Sequence, residues 1–160
     1  MVKFRLSNFI LLLISILPMY ISFKMVSTSY DDNVYYLKSY QNLSTYSFLS
    51  AYEKYKLDTG GSEVVYFIIS YFSSYYITYN IFISTLNFAF LATFYRTLKY
   101  YFVNYKIIYL ITILTNFYLY VFLSNTHKLK FALIFLMIFL IKKNSKKIWL
   151  YFSALTHFQN

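Results

Sequence analysis

From Val64 to Tyr95 the chain runs for 32 residues without a charged side chain. As one helix this stretch would be about 48 Å long, whereas the hydrocarbon core of a bilayer is about 30 Å thick. Its middle, residues 73–80, is rich in hydroxyl groups. This pattern favours a short surface-bound or partly re-entrant helix over 64–74, followed by a membrane-spanning helix over 77–96.

The composition agrees with a membrane environment. Apolar residues make up 59% of the chain and charged residues only 12%, about half the charged share of a typical globular protein. A soluble chain of 160 residues needs a polar surface around its core, and this one has too few polar side chains to supply it. The absence of cysteine excludes disulfides, thiolate metal sites and cysteine nucleophiles. With two histidines and five carboxylates, we expect neither a metal nor a cofactor.

The distribution of charge indicates a topology. The net charge is +10, but a nucleic-acid-binding surface would need a polar scaffold around its basic patch, so nucleic acid is not an expected partner. All five carboxylates lie within residues 24–63. With the amino terminus inside, segments 1–5, 96–106 and 142–147 face the cytoplasm and carry two, three and four cations, which satisfies the positive-inside rule.

We therefore predict an all-α, multi-pass protein of the inner or plasma membrane, formed as one integral-membrane region over 1–160. The predicted outer loop holds two short amphipathic helices on the membrane surface, with tyrosines at headgroup level. The predicted spans are 6–23, 77–96, 107–124, 129–141 and 148–160, and the outer loop is 24–76.

The two ends of the predicted topology need interpretation. The first apolar run could also be a signal peptide, although it is longer than a usual signal core and an uncleaved anchor is preferred. The fifth run has only 13 residues, about 20 Å of helix, which is too short to cross. We therefore expect the chain to be the amino-terminal portion of a longer protein.

Four short sequence blocks occur in order along the chain: Asp32–Tyr40, Gly61–Glu63, Asn125–Ala132 and Ala154–His157. They are similar to the motifs Asp-x3-Tyr-x3-Tyr, Gly-x-Glu, Asn-x-x-Arg-x3-Ala and Ala-x-x-His. Together the blocks make the chain resemble the Wzy/EpsG-type polysaccharide polymerases. Two positions depart from that pattern, because Lys128 stands where arginine is usual and Val64 stands where many members have proline.

The resemblance implies glycosyl transfer at the outer membrane face. A hydroxyl of one undecaprenyl-pyrophosphate-linked oligosaccharide would attack the anomeric carbon of another and expel undecaprenyl pyrophosphate. Chain-length regulator and flippase proteins are implied as further partners besides the lipid bilayer. The catalytic residues that the resemblance and the topology indicate are Asp32, Glu63 and His157. The substrate-binding residues are Lys128, Lys130, His127, Tyr36 and Tyr40.

Each of these residues also has a structural interpretation. Asp32 and Glu63 each precede a predicted helix, where a carboxylate is favourable as a cap or against the helix dipole. Lys128 and Lys130 could anchor a short helix to headgroups, and the histidines and tyrosines could be interfacial.

Three alternatives to an active polymerase remain open. They are a transporter or flippase fragment, a small membrane-remodelling protein, and an inactive polymerase remnant. Carboxylates within the spans would favour a transporter, and the predicted spans contain none.

Overall fold

The structure is a computed structural model that describes Ile16, Tyr20 and residues 33–141 and 148–155. Within these ranges the chain forms eight α-helices and no strand, which confirms the all-α class. Nearly all of the predicted span 6–23, together with Asp32 and His157, lies outside the described residues. The helices are α1 (Asn33–Leu43), α2 (Phe48–Thr59), α3 (Val64–Ser74), α4 (Tyr79–Tyr101), α5 (Tyr105–Thr115), α6 (Phe117–Asn125), α7 (His127–Ile141) and α8 (Ile148–Leu155).

Helices α3 and α4 divide the long charge-free stretch as its hydroxyl content predicts. Helix α3 has the predicted bounds, and α4 begins two residues later than predicted. Helix α4 continues past the predicted end at residue 96 because Arg96 and Lys99 are good helix formers and are favourable against the carboxyl end of the helix dipole. Its 23 residues correspond to about 35 Å. Among the described residues, it is the one helix long and apolar enough to cross a membrane.

The predicted single span over 107–124 is two helices in the structure, α5 and α6, with a break at Asn116. The backbone of Asn116 leaves the helical region, with φ −92° and ψ 93°. Its side-chain Oδ1 accepts a hydrogen bond from the Leu119 N–H at 3.2 Å and so caps α6. Asparagine favours such caps over helix interiors, which explains why an apolar run is interrupted at this residue.

Helices α4 and α7 lie side by side and run in the same direction. The Tyr79 and His127 rings, near the two helix starts, have centroids 5.9 Å apart. Near the two ends, the Tyr101 hydroxyl donates to the Leu140 carbonyl oxygen at 2.7 Å. Helices α5 and α6 form the return path between them. Helix α8 packs antiparallel to α7: near the start of α8 the Trp149 ring stacks on Phe135 at 6.0 Å, and near its end the Ser153 hydroxyl donates to the Ala132 carbonyl oxygen at 2.8 Å.

The core is aromatic and lies where α1, α3, α4 and α7 meet. Tyr66 of α3 packs edge-on against Phe82 of α4 and Phe131 of α7, with centroid distances of 6.3 and 5.7 Å. Tyr40 of α1 stacks on Phe82 at 5.2 Å. These contacts attach α1 and α3 to the starting end of the parallel pair α4 and α7, and the candidate site lies at that end.

Candidate functional site

The site begins at the glycine pair between α2 and α3. Gly60 adopts φ 64° and ψ 9°, a left-handed conformation that ends α2, and its N–H donates to the Lys56 carbonyl oxygen at 2.9 Å. Gly61 lies directly against two charged groups, because a Cβ atom there would overlap Lys128 Nζ and Glu63 Oε2. Each glycine is therefore required for a different reason: Gly60 for its backbone angle and Gly61 for close approach.

A buried ion pair joins the starts of α3 and α7. Glu63 Oε1 lies 2.8 Å from Lys128 Nζ, and the two residues are 65 positions apart. The Glu63 side chain is fully buried, whereas the Lys128 side chain is 12% exposed. Glu63 occupies the N-cap position of α3, but its carboxylate makes no capping hydrogen bond to that helix. The capping interpretation of Glu63 therefore does not describe its contacts.

Two tyrosines complete the surroundings of the ion pair. The Tyr55 hydroxyl donates to Glu63 Oε2 at 3.1 Å. Burial raises the pKa of the Tyr55 phenol far above its ordinary value, so this hydroxyl stays protonated and remains a donor. Lys128 Nζ lies 5.1 Å from the centroid of the Tyr36 ring, within cation–π distance. One face of the ammonium thus meets an aromatic ring, and its carboxylate partner is bound on both oxygens.

The ion pair lies in the wall of a mostly polar cavity of about 800 Å³. Lys128 is the more accessible member of the pair, because its side chain retains exposure that Glu63 lacks. Lys56 is a second cation at this cavity and is exposed. Asp58, which also lines the cavity, forms an ion pair with Lys54, with Oδ1 and Nζ 2.9 Å apart. The lining consists of Tyr35, Tyr36, Lys56, Asp58, Thr59, Gly60, Gly61, Ser62, Glu63 and Lys128.

Lys130 lies in the interior between α4, α6 and α7. Its Nζ donates to Asn87 Oδ1 at 2.7 Å and to the Leu123 carbonyl oxygen at 2.6 Å, and lies 3.0 Å from His127 Nδ1. Three polar groups from α4, α6 and α7 thus surround the Lys130 amine. Neither His127 nor Lys130 is among the described residues that line the polar cavity. Both hold the start of α7 against α4 and α6.

Two apolar cavities lie beside α3, and Ile69 and Phe135 line both of them. One has a volume of about 280 Å³ and lies between α3, α7 and α8, and the other, of about 270 Å³, lies between α3, α4 and α7. Helix α3 begins next to Glu63, so a polar cavity and two apolar ones adjoin the same short helix.

The structure brings together three of the residues that the sequence predicts: Tyr36, Glu63 and Lys128 line one cavity. His127 lies behind them, with its ring 6.2 Å from that of Tyr36. Tyr40 lies elsewhere: it is buried, and its hydroxyl donates to the Ile77 carbonyl oxygen at 3.1 Å. Burial raises the pKa of Tyr40 to about 12.

No sequence pattern indicated that Tyr55 and Lys56 would lie at the site, or that Asn87 would contact Lys130. Tyr55 is one of 21 tyrosines, and no local pattern distinguishes it. The adjacent glycines were a signal for a turn, but the contact of Gly61 with a lysine 67 positions away depends on the tertiary fold.

Comparison of the chain with protein-family models, with curated proteins and with solved structures finds no match. The polymerase resemblance therefore remains a prediction from the four sequence blocks. In the described part of the chain, no three histidine, aspartate or glutamate side chains cluster as metal ligands would. The groups that the cavity offers are two carboxylates, of which Glu63 is fully buried, two ammonium groups, hydroxyls and tyrosine rings.

Proposed function

We propose that this chain is a multi-pass protein of the inner or plasma membrane that joins undecaprenyl-pyrophosphate-linked oligosaccharide repeat units at the outer face. The observation that carries the proposal is the ion pair between Glu63 and Lys128 at a polar cavity. These residues come from two separate blocks of the polymerase-like pattern. If each block were only a local helix-capping or anchoring sequence, there would be no reason for the two blocks to meet in the fold.

The helix directions support the proposed topology. Because α4 and α7 are parallel, their starts lie at the cavity end, and Arg96 and Lys99 lie near the opposite end of α4. Lys106 begins the return path at that same opposite end, where the Tyr95 and Tyr105 rings are 5.5 Å apart. With the amino terminus inside, the cationic end faces the cytoplasm and the cavity faces outward.

The groups at the cavity fit the chemistry of glycosyl transfer. The acceptor hydroxyl oxygen forms a bond to the anomeric carbon of the donor while the bond from that carbon to the pyrophosphate oxygen breaks. Glu63 accepts the hydroxyl proton, and Lys128 stabilises the negative charge of the departing pyrophosphate. Tyr36 offers a ring face at the cavity, and the apolar cavities beside Ile69 suit part of a polyprenyl chain.

A transporter or flippase is the second candidate, and one observation favours it. Lys130 carries a fully buried, ionisable amine among three helices, and ionisable groups within membrane bundles often mark transport pathways. A flippase differs from a polymerase in phenotype, since its loss prevents any repeat unit from reaching the surface, whereas loss of a polymerase leaves single units there.

Complementation of a deletion strain tests both candidates. The deleted gene is restored as wild type, Glu63→Gln or Lys128→Met, with Glu53→Gln and Lys99→Met as charge-matched controls on exposed positions. Surface polysaccharide is separated on a gel, and membrane levels of each variant are compared by immunoblot. A polymerase predicts that the long-chain ladder collapses to single units in the deletion, Glu63→Gln and Lys128→Met strains, and persists in both controls. An intact ladder in the deletion strain would contradict the proposal and favour an inactive remnant.

A further inference from the structure

We propose that a phosphate-type anion binds in the cavity by taking Lys128 away from Glu63, and that Glu63 takes up a proton as this happens. The inference rests on the proposed function, because it names how a pyrophosphate group would engage the same site. It goes beyond the presence of the ion pair, because it couples anion binding by Lys128 to proton uptake by Glu63.

Access to the ion pair is unequal, and this decides which member an anion meets. The Glu63 carboxylate has no exposed side-chain area, and Gly61 lies directly against it. Lys128 is partly exposed and lines the cavity. Its ammonium has three N–H groups, and the hydrogen bond to Glu63 Oε1 uses one of them. An anion that enters the cavity therefore contacts Lys128 first.

A second cation strengthens the competition for Lys128. Lys56 lines the same cavity, and within the described ranges no carboxylate lies at ion-pair distance from it. A pyrophosphate carries several negative charges, whereas Glu63 carries one. A ligand that engages Lys56 and Lys128 together gains attraction from both ammonium groups, which a single buried carboxylate cannot match.

The departure of Lys128 leaves Glu63 without a positive partner. Besides Lys56 and Asp58 in the cavity lining, the titratable groups at the ion pair are Tyr36 of α1, Tyr55 of α2, Tyr66 of α3 and Lys128 of α7. Only the last is a cation, so its loss leaves a buried charge held by one phenolic donor. An unpaired buried carboxylate is strongly disfavoured, and protonation removes the charge.

The source of the proton depends on what occupies the cavity. With pyrophosphate alone, the proton comes from water. In the proposed reaction the donor and the acceptor occupy the cavity together and exclude water, so the proton that Glu63 takes up is that of the acceptor hydroxyl, and it moves as the hydroxyl oxygen bonds to the anomeric carbon. While the cavity is empty, Lys128 stays paired with the carboxylate.

Calorimetry on the full chain in neutral detergent tests this coupling. Inorganic pyrophosphate is titrated into wild type, Glu63→Gln, Lys128→Met and Lys99→Met in two buffers with different enthalpies of ionisation. The Glu63→Gln titration gives the proton change of the ligand itself, and subtracting it isolates Glu63. We expect wild type to take up about one proton more per bound pyrophosphate than Glu63→Gln. We also expect Glu63→Gln to bind about as tightly or more tightly, Lys128→Met to bind about tenfold more weakly or not at all, and Lys99→Met to match wild type.

Equal proton uptake by wild type and Glu63→Gln, or no binding to wild type, would overturn the proposal. If Glu63→Gln does not fold, infrared difference spectra of wild type replace it, and a protonated carboxylic acid band must appear on pyrophosphate addition. A parallel titration with phosphatidylglycerol separates the two sources of such an anion. Proton uptake with that lipid alone would overturn the assignment to pyrophosphate.

The two proposals fail separately. A normal surface ladder in the deletion strain, together with pyrophosphate-linked proton uptake by the purified protein, would refute the polymerase and leave the coupling standing. Loss of the ladder in the deletion strain, with no pyrophosphate-linked proton uptake by the purified protein, would refute the coupling and leave the polymerase standing.

Discussion

Gly61→Ala is the substitution that tests the geometry of the ion pair most sharply. The new Cβ would overlap Lys128 Nζ and Glu63 Oε2, both of which are ends of side chains that can move. The backbone angle at Gly61 lies outside the left-handed region, so alanine itself adds no backbone strain there. We therefore expect the chain to relieve the overlap by separating the two charges.

The cost follows from what separation removes. A charge-assisted hydrogen bond contributes about 1.5–3 kcal/mol, and here the carboxylate that loses it is buried. Lys128 can turn into the cavity and regain water, so we expect a loss of about 2 kcal/mol in the free energy of unfolding, at the lower part of that range. Gly60→Ala is the matched control. It meets no atom within 4 Å but keeps a left-handed φ of 64°, and so costs about 1 kcal/mol through the backbone alone.

Reversible unfolding in neutral detergent, followed by circular dichroism, measures both effects. A double-mutant cycle with Glu63→Ala separates them, because Gly61→Ala has no ion pair left to disturb in that background, whereas the cost of Gly60→Ala is unchanged. The reasoning is refuted if Gly61→Ala costs the same with and without Glu63.

Three further predictions concern other contacts, each measured by thermal unfolding in the same detergent. Lys130→Met removes the donor to Asn87 Oδ1 and to the Leu123 carbonyl oxygen and should lower the free energy of unfolding by about 1–3 kcal/mol. Asn87→Leu should lower it much less in the Lys130→Met background than in the wild type, and additive effects of the two substitutions would contradict the network. Asn116→Ala removes the side-chain cap of α6 and should lower the free energy of unfolding by about 1 kcal/mol. An unchanged midpoint of thermal unfolding would show that the cap contributes nothing. Stability should fall above pH 10, because burial raises the pKa of Tyr40 to about 12 and that of Tyr55 further, so the unfolded tyrosines ionise first. Tyr55→Phe should make the fall in stability above pH 10 less steep, and an equally steep fall in that variant would show that the raised pKa of Tyr55 is not its cause.

The fold was predictable where local pattern decides it. The absence of charge from Val64 to Tyr95, with hydroxyls in its middle, predicted helix α3 with its observed bounds and most of α4. The break at Asn116 was not predicted, because a single asparagine in an apolar run is compatible with a continuous helix until its side chain finds the Leu119 N–H. Multi-pass insertion stays a prediction, since one described helix has the length and composition to cross.

The candidate site was predictable only in part, for a physical reason. Glu63, Lys128 and Tyr36 belong to sequence blocks that predicted a functional role for them. Tyr55 and Asn87 act through partners 8 and 43 positions away, and only the packed fold brings them together. Asp32 and His157 lie outside the described residues, so their predicted roles stay predictions.

We propose that the Glu63–Lys128 cavity faces outward from a membrane protein whose cationic helix ends face the cytoplasm. The chain has no cysteine, so single-cysteine variants report location without background. Ser62→Cys places a thiol in the cavity lining, and Lys99→Cys places one near the opposite end of α4. A membrane-impermeant maleimide applied to intact cells should label Ser62→Cys, and should label Lys99→Cys only after the membrane is permeabilised. Labelling of Lys99→Cys in intact cells, with Ser62→Cys protected until permeabilisation, would contradict the account.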